Sequence, residues 1–231
     1  MGKPQERSSS KPKSNGPRLR VGRRIQTWRG RRITIGIVLA AILLIAAFIF
    51  WPRPEQATID PSRLAQDPSL GPPTAAVTIV EYGDFGCTTC RAWFQAGIMD
   101  EVRTQYGDKV RFVWRDFPII TAQSPKAAEA GQCAFNQGKF WEYHDLLYER
   151  APALSINDLK SYASELGLDT ATFNQCLDSG QYKGKVDRSL QDAYAHHFIG
   201  TPSFLVNGQP LAGPPSLETL QGLIDTILAS G

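Results

Sequence analysis

Two kinds of hydrophobic pattern divide the chain. Ile33 to Trp51 (ITIGIVLAAILLIAAFIFW) runs for 19 residues without a charge. As a helix rising ~1.5 Å per residue it would reach ~28 Å, the thickness of bilayer hydrocarbon. Downstream the apolar runs are short and alternate with polar ones. Val77 to Val80, in AAVTIVEYGDF, is a β-branched run that predicts a buried strand. After Gly86, Phe94, Ile98, Val102 and Tyr106 recur every four residues, so the pattern predicts one helix with a single apolar stripe, ended by Gly107. Lys109 to Phe117 (KVRFVWRDF) predicts a second strand, closed by Pro118. Strand, helix and strand in that order form a βαβ unit, and therefore a sheet that is at least partly parallel.

Residues 122–180 then carry helical spacing throughout. Ala127 to Phe135 is alanine-rich, and Phe140, Trp141, His144, Leu147 and Tyr148 fall on one helical face. Ser155 or Asn157, and Asp169 or Thr170, are candidate caps for two further helices. A long helix follows from about Tyr182 to His197. Ser203 to Val206 reads as a strand, Asn207-Gly208 as a hairpin turn, and Gln209 to Ala212 as a return strand that Pro210 confines to the sheet edge. Ser216 caps a last amphipathic helix through Leu217, Leu220, Leu223, Ile224 and Ile227. The class is α/β, with a helical block inserted in the crossover of a small sheet.

Charge places this domain. The net charge of +3 hides an asymmetry: residues 1–32 hold eleven Lys/Arg against one acid, Glu6. With Ser8–Ser10 and several prolines and glycines, this head reads as a disordered tail. A basic tail can bind nucleic acid, but an apolar segment follows at once, so it reads as a topology signal and no nucleic-acid partner is expected. Positive charge inside puts residues 1–32 in the cytoplasm, 33–51 across the plasma membrane and the rest outside. A cleaved signal peptide is the rival. Its apolar core would be shorter, and Phe48-Ile49-Phe50-Trp51-Pro52 is a poor cleavage site. Residues 52–72, rich in proline and polar groups, read as a tether, and 73–231 as the folded domain.

Four cysteines outside the cytoplasm lie in an oxidising compartment, with three pairings open. Cys87 and Cys90 stand three apart where a strand gives way to a helix. A helix N-terminus stabilises a thiolate, so Cys87, at the turn, reads as the attacking thiol and Cys90, one turn in, as the resolving one. A structural disulfide or half of a zinc site are the alternatives. The zinc reading lacks its other ligands, and no metal site is expected. His144 reads as a packed helix residue, and His196 and His197 as cations at a helix C-terminus.

The segments EYGDFGCTTC, WRDFP, GKFWEYHDLLYE, NQCLDSG and GTPSFLVNG, in that order, resemble the DsbA-like branch of the thioredoxin superfamily over roughly Asp67 to Gly231. The resemblance implies a thioredoxin fold with an inserted helical subdomain at about 122–180, preceded here by one transmembrane helix. It implies that Cys87 and Cys90 are the redox pair. Pro202 becomes a cis-proline against that pair, and Thr201 supplies backbone groups to a substrate strand. Glu81 matches a buried acid under the second cysteine, where desolvation would raise its pKa and let it exchange a proton with Cys90. An exposed position, or a pairing with Arg115, is the alternative for Glu81. Cys133 and Cys176 fall in motifs of the helical block, where a bridge would staple two helices.

The pattern is broken at Thr88 and Thr89, where proline and a histidine or tyrosine are frequent. Without a neighbouring imidazole, Cys87 should be less acidic, and the disulfide less oxidising, than in the strongest oxidases. The implied activity is oxidation of client proteins with cysteines, without a cofactor, and with a quinone-linked membrane partner as reoxidant. A reductase or isomerase on the same site, or a Cu(I) carrier using Cys87 and Cys90, are the competing functions.

Overall fold

The computed structural model describes residues 66–211 and 213–230, together with Ile37 and Ala41, which are helical. The chain divides into two units, Met1–Glu55 and Gln56–Gly231. The expected cytoplasmic tail (1–32), nearly all of the apolar segment (33–51) and the tether up to residue 65 lie outside the described residues. Among the described residues no helix is long and apolar enough to cross a membrane.

The domain is one five-stranded sheet dressed with helices. In chain order its elements are β1 (Ser69–Leu70), β2 (Val77–Gly83), α1 (Thr88–Gln95), α2 (Ile98–Tyr106) and β3 (Val110–Asp116). Then come α3 (Ser124–Asn136), α4 (Phe140–Arg150), α5 (Ile156–Glu165), α6 (Thr170–Ser179) and α7 (Lys183–Ala195). The chain closes with β4 (Ser203–Val206), β5 (Gln209–Leu211) and α8 (Leu217–Ser230). The strand order is β1-β3-β2-β4-β5. β2 and β3 are parallel, from Val77 opposite Val110 to Gly83 opposite Asp116. β4 is antiparallel to β2, and β5, carrying Pro210, is the edge. The βαβ unit and the hairpin of the sequence reading are therefore present, with α3–α6 inserted between the two halves.

Strand alternation sorts the core into layers. Val77, Ile79, Phe112, Phe204 and Val206 face Trp93, Val102, Tyr106, Leu220 and Ile224, from α1, α2 and α8. Val80, Tyr82, Val113 and Leu205 face Phe117, Ala193 and Phe198 on the other side. A third cluster joins Phe85, Cys87, Cys90 and Trp114 to the inserted helices through Phe140, Tyr143, Leu147, Tyr148, Leu159 and Phe173. Cys87 and Cys90 thus sit where sheet and insertion meet.

Two expectations need correction. The single helix after Gly86 is two helices, broken at Ala96–Gly97, where Gly97 takes φ +66°. The apolar stripe divides there: Phe94 packs on the inserted helices, while Ile98, Val102 and Tyr106 face the sheet layer. A stripe at constant spacing cannot reveal that its two ends have different partners. The folded domain also begins before residue 73. Pro68 O accepts from Trp114 N at 2.9 Å, and β1 pairs antiparallel with β3. Of the candidate helix caps, Ser155, in a capping box with Asp158, and Asp169 are the ones the helices use.

Candidate redox site

The sequence EYGDFGC builds the site by ending a strand and starting a helix within four residues. Asp84 holds the turn. Its carboxylate accepts from Gly86 N, Ile119 N and Ile120 N, each at 2.7 Å, and its carbonyl accepts from Cys87 N at 3.0 Å. The turn is packed so closely that a Cβ on Gly86 would stand 2.7 Å from Ser124 Oγ. Sequence reasoning passed over Asp84. Its signal was an aspartate two residues before a glycine in a strand-to-helix turn, a position where a short carboxylate caps backbone N–H groups.

Cys87 is the N-cap of α1, and its Sγ accepts from Cys90 N at 3.3 Å. It is 5% exposed, and Cys90 beneath it is fully buried. Both are free thiols here. Hydrogen bonding from the Cys90 thiol first, aided by the nearby Thr201 side chain and the Cys90 and Thr89 backbone, outweighs burial and holds Cys87 down at about 5. Burial pushes Cys90 far up, reinforced by its bond to Cys87 and by the charges of Glu81 and Cys87. The two sulfurs, three residues apart, are thus split into an easily ionised thiol that is almost buried and a strongly protonated one that is wholly buried.

Across the site, the Thr201–Pro202 peptide bond is cis. The Cys87 thiol donates to Thr201 O at 3.3 Å. The Thr201 hydroxyl is buried and makes no hydrogen bond among the described residues, though it lies near enough to the sulfur to favour the thiolate. Glu81 lies in the middle of β2, between Trp114 of β3 and Phe204 of β4, because the strand continues past Val80 to Gly83. Burial first, and the charge of Cys87 second, raise its carboxyl from 4.5 to about 8. The alternative pairing with Arg115 does not occur. Arg115 points to the other face of the sheet, where it binds Asp67 Oδ2 at 2.9 Å, the Tyr82 hydroxyl at 3.1 Å, and Asp192.

The structure therefore brings Cys87, Cys90, Glu81, Thr201 and Pro202 to one place. It also adds residues that were read only as packing. Tyr148 and His144 of α4 close over the same region, in an aromatic cluster with Phe85, Phe94 and Trp114. Cys133 and Cys176 stand apart from this group and are bonded to each other, joining α3 to α6. His196 departs from expectation: burial lowers its pKa, so it is no helix-terminal cation at neutral pH. Among the described residues no group of three or more His, Cys, Asp or Glu side chains is arranged to hold a metal ion.

Comparison with known proteins agrees with this geometry. The thioredoxin family profile matches residues 64–226. Of solved structures, BdbD from Bacillus subtilis superposes with a TM-score of 0.66 at 22% identity, over 72% of this chain and 95% of that one. The thiol-disulfide exchange protein α-DsbA2 from Wolbachia pipientis gives 0.63 at 19% identity, over 72% and 95%. A thioredoxin-like oxidoreductase from Silicibacter pomeroyi gives 0.63 at 29% identity, over 71% and 94%. Curated relatives carry a different name. The Na(+)/H(+) antiporter NhaA of Herminiimonas arsenicoxydans is 33% identical over 210 residues, 85% of this chain but 33% of that protein. NhaA 3 of Salinispora tropica is 37% identical over 174 residues, 74% of this chain and 26% of that protein. The chain spans about a third or less of the length of these relatives. From the profile match and the superpositions, the chain belongs to the thioredoxin family and has the fold of the DsbA-like thiol–disulfide oxidoreductases.

Proposed function

We propose that the protein is an extracytoplasmic thiol–disulfide oxidoreductase, anchored by residues 33–51, that oxidises the cysteines of client proteins. The observation that carries this reading is the split between the two thiols: Cys87 held near 5 at a helix N-terminus, and Cys90 held protonated beneath it. In the oxidised protein a client thiolate attacks Cys87 Sγ. The client–Cys87 bond forms as the Cys87–Cys90 bond breaks, and Cys90 leaves with the electron pair. Glu81, neutral at pH 7 because its pKa is raised to about 8, protonates the departing sulfur. The second client thiolate then attacks the client sulfur, and Cys87 leaves as a thiolate that needs no proton at neutral pH. The client gains a disulfide, and the enzyme holds the electrons until a quinone-linked membrane partner takes them. Thr201 and Pro202 present the backbone edge along which a client strand would lie.

Membrane anchoring is supported by the uncharged run 33–51 and its basic flank.

The test is trapping. Cys90→Ser in the full-length chain, mixed in detergent with glutathione disulfide and a client carrying one cysteine, should accumulate a mixed disulfide through Cys87. The wild type should turn over the same client with both of its cysteines, and Cys87→Ser should do neither. A Cys90→Ser protein that forms no adduct, together with a wild type that binds Cu(I) stoichiometrically and turns over no client, would select the carrier reading instead.

A further inference from the structure

Each turn of the cycle moves one proton to Cys90 when the disulfide opens and one away when it closes. Glu81 stores that proton, but it is 7% exposed, and its carboxyl makes no hydrogen bond or ion pair among the described residues. It must reach solvent by some path. One cavity touches it. The space is about 10 Å³, room for one water, and is walled by Glu81, Phe94, Gly97, Asp100, His144 and Tyr148. It opens at the break between α1 and α2. Polar residues among its lining are Glu81, His144 and Tyr148, whose hydroxyl donates to Asp84 O at 3.5 Å and keeps its lone pairs to accept from a water.

His144 continues the path outward. Its Nδ1 is 2.8 Å from Asp145 Oδ1, and Asp145 is 47% exposed. Because a carboxylate only accepts, Nδ1 carries the proton and Nε2 is left as an acceptor. Nε2 has no hydrogen-bond partner among the described residues. Burial lowers the His144 pKa, so the ring is neutral at pH 7, as a relay through two nitrogens requires. The titratable groups facing the two ends are Cys87 and Cys90 of α1, Asp100 of α2, and Asp145 and Tyr148 of α4.

We propose that Glu81, one water in this cavity, the His144 imidazole and Asp145 form a proton wire between Cys90 and solvent. This rests on the reading of Cys87–Cys90 as an exchanging pair. When the disulfide closes, the Cys90 proton passes to Glu81, then to the water, whose own proton moves to Nε2. The Nδ1 proton passes to Asp145 and to bulk. The ring is left as the other tautomer. When the next client opens the disulfide, Asp145 takes a proton from bulk and returns it to Nδ1. The Nε2 proton then travels back through the water to Glu81 and Cys90. The two halves of the cycle run the wire in opposite directions and restore the ring, with no net gain or loss of protons.

The experiment separates two steps in the reduced full-length protein mixed with glutathione disulfide. Cys87 first attacks, and Cys90 then expels glutathione from the mixed disulfide. Only the second step moves the Cys90 proton. His144→Gln can still bind the water but cannot relay, and Asp145→Asn can still accept from Nδ1 but cannot carry a proton. The Asp145 site is half exposed, so its variant does not depend on repacking the core. Both should slow the second step by about tenfold or more, leave the first at the wild-type rate, and add nothing to Glu81→Gln. Asp100→Asn should leave both steps unchanged. If Glu81→Gln slows the second step while His144→Gln and Asp145→Asn do not, or if Asp100→Asn slows it in their place, the wire is refuted. If the wild type releases no glutathione at all, the exchange reading fails before the wire is reached.

Discussion

Replacing Glu81 by Gln should stabilise the reduced protein at neutral pH and leave it unimproved in acid. A carboxyl whose folded pKa is raised binds its proton in the folded state while the unfolded chain has lost it. Stability from such a group is fully present below the unfolded value of 4.5 and is lost as pH rises through the folded value of about 8. At pH 7 the unfolded carboxyl is ionised and the folded one is not. One pH unit corresponds to 1.36 kcal/mol, so the loss at pH 7 is about 3 kcal/mol relative to pH 4. Glutamine has the same shape and no charge to desolvate. Whatever its buried amide costs is the same at every pH, so the pH-dependent part isolates the carboxyl. Urea unfolding of wild type and Glu81→Gln, under reducing conditions at pH 4, 7 and 8.5, gives the difference directly. The variant's advantage should grow by about 3 kcal/mol from pH 4 to pH 7 and by somewhat more at pH 8.5. An advantage that is flat across pH, or that shrinks as pH rises, would refute the claim that burial keeps Glu81 protonated. The same substitution should slow exchange, so a less stable native residue would be retained for its proton.

Other outcomes follow from other parts of the structure. Removing both Cys133 and Cys176 by Ala substitution should lower stability by about 2–4 kcal/mol in urea unfolding, without moving the Cys87–Cys90 potential, because the bridge joins α3 to α6 and touches neither redox sulfur. Thr201→Val should raise the Cys87 pKa, followed by thiolate absorbance, by roughly half a pH unit to one, the equivalent of a hydrogen bond worth about 1 kcal/mol. An unchanged value would mean that the hydroxyl does not serve the sulfur. Asp67→Ala leaves the buried Arg115 with Asp192 and Tyr82 alone, and should destabilise the domain by about 1–3 kcal/mol in urea with little effect on exchange.

The chain announces most of this architecture through local pattern. The β-branched run at Val77, the Asn207-Gly208 turn and the capped helices each specify themselves within a few residues, and five ordered motifs then tie them to one fold. What the pattern could not carry was anything decided by a partner distant in sequence. The break at Gly97 exists because Phe94 and Ile98 answer to different layers, and a stripe of constant spacing looks the same in either case. β1 is two residues long, and only its pairing with Val113 and Phe112 makes it a strand. At the site, the cysteines were legible from spacing and turn context. Glu81 was legible as a position but not as an environment, since its burial comes from Trp114 and Phe204 on either side. His144 read as packing because nothing local says that its ring shares a cavity with a residue 63 positions earlier.

The central claim is that the environment of Cys87 stabilises the reduced protein and so makes the disulfide an oxidant. The direct measurement is the reduction potential of Cys87–Cys90, obtained by equilibrating the protein in glutathione buffers at pH 7. A thiol near 7 accompanies a potential of about −270 mV in thioredoxin, and at ~30 mV per tenfold a thiol near 5 raises this by about 50 mV. A value of about −220 mV or higher is expected. A value at or below about −270 mV would mean that the Cys87 thiolate is not favoured, and that the protein gives electrons to its clients rather than taking them.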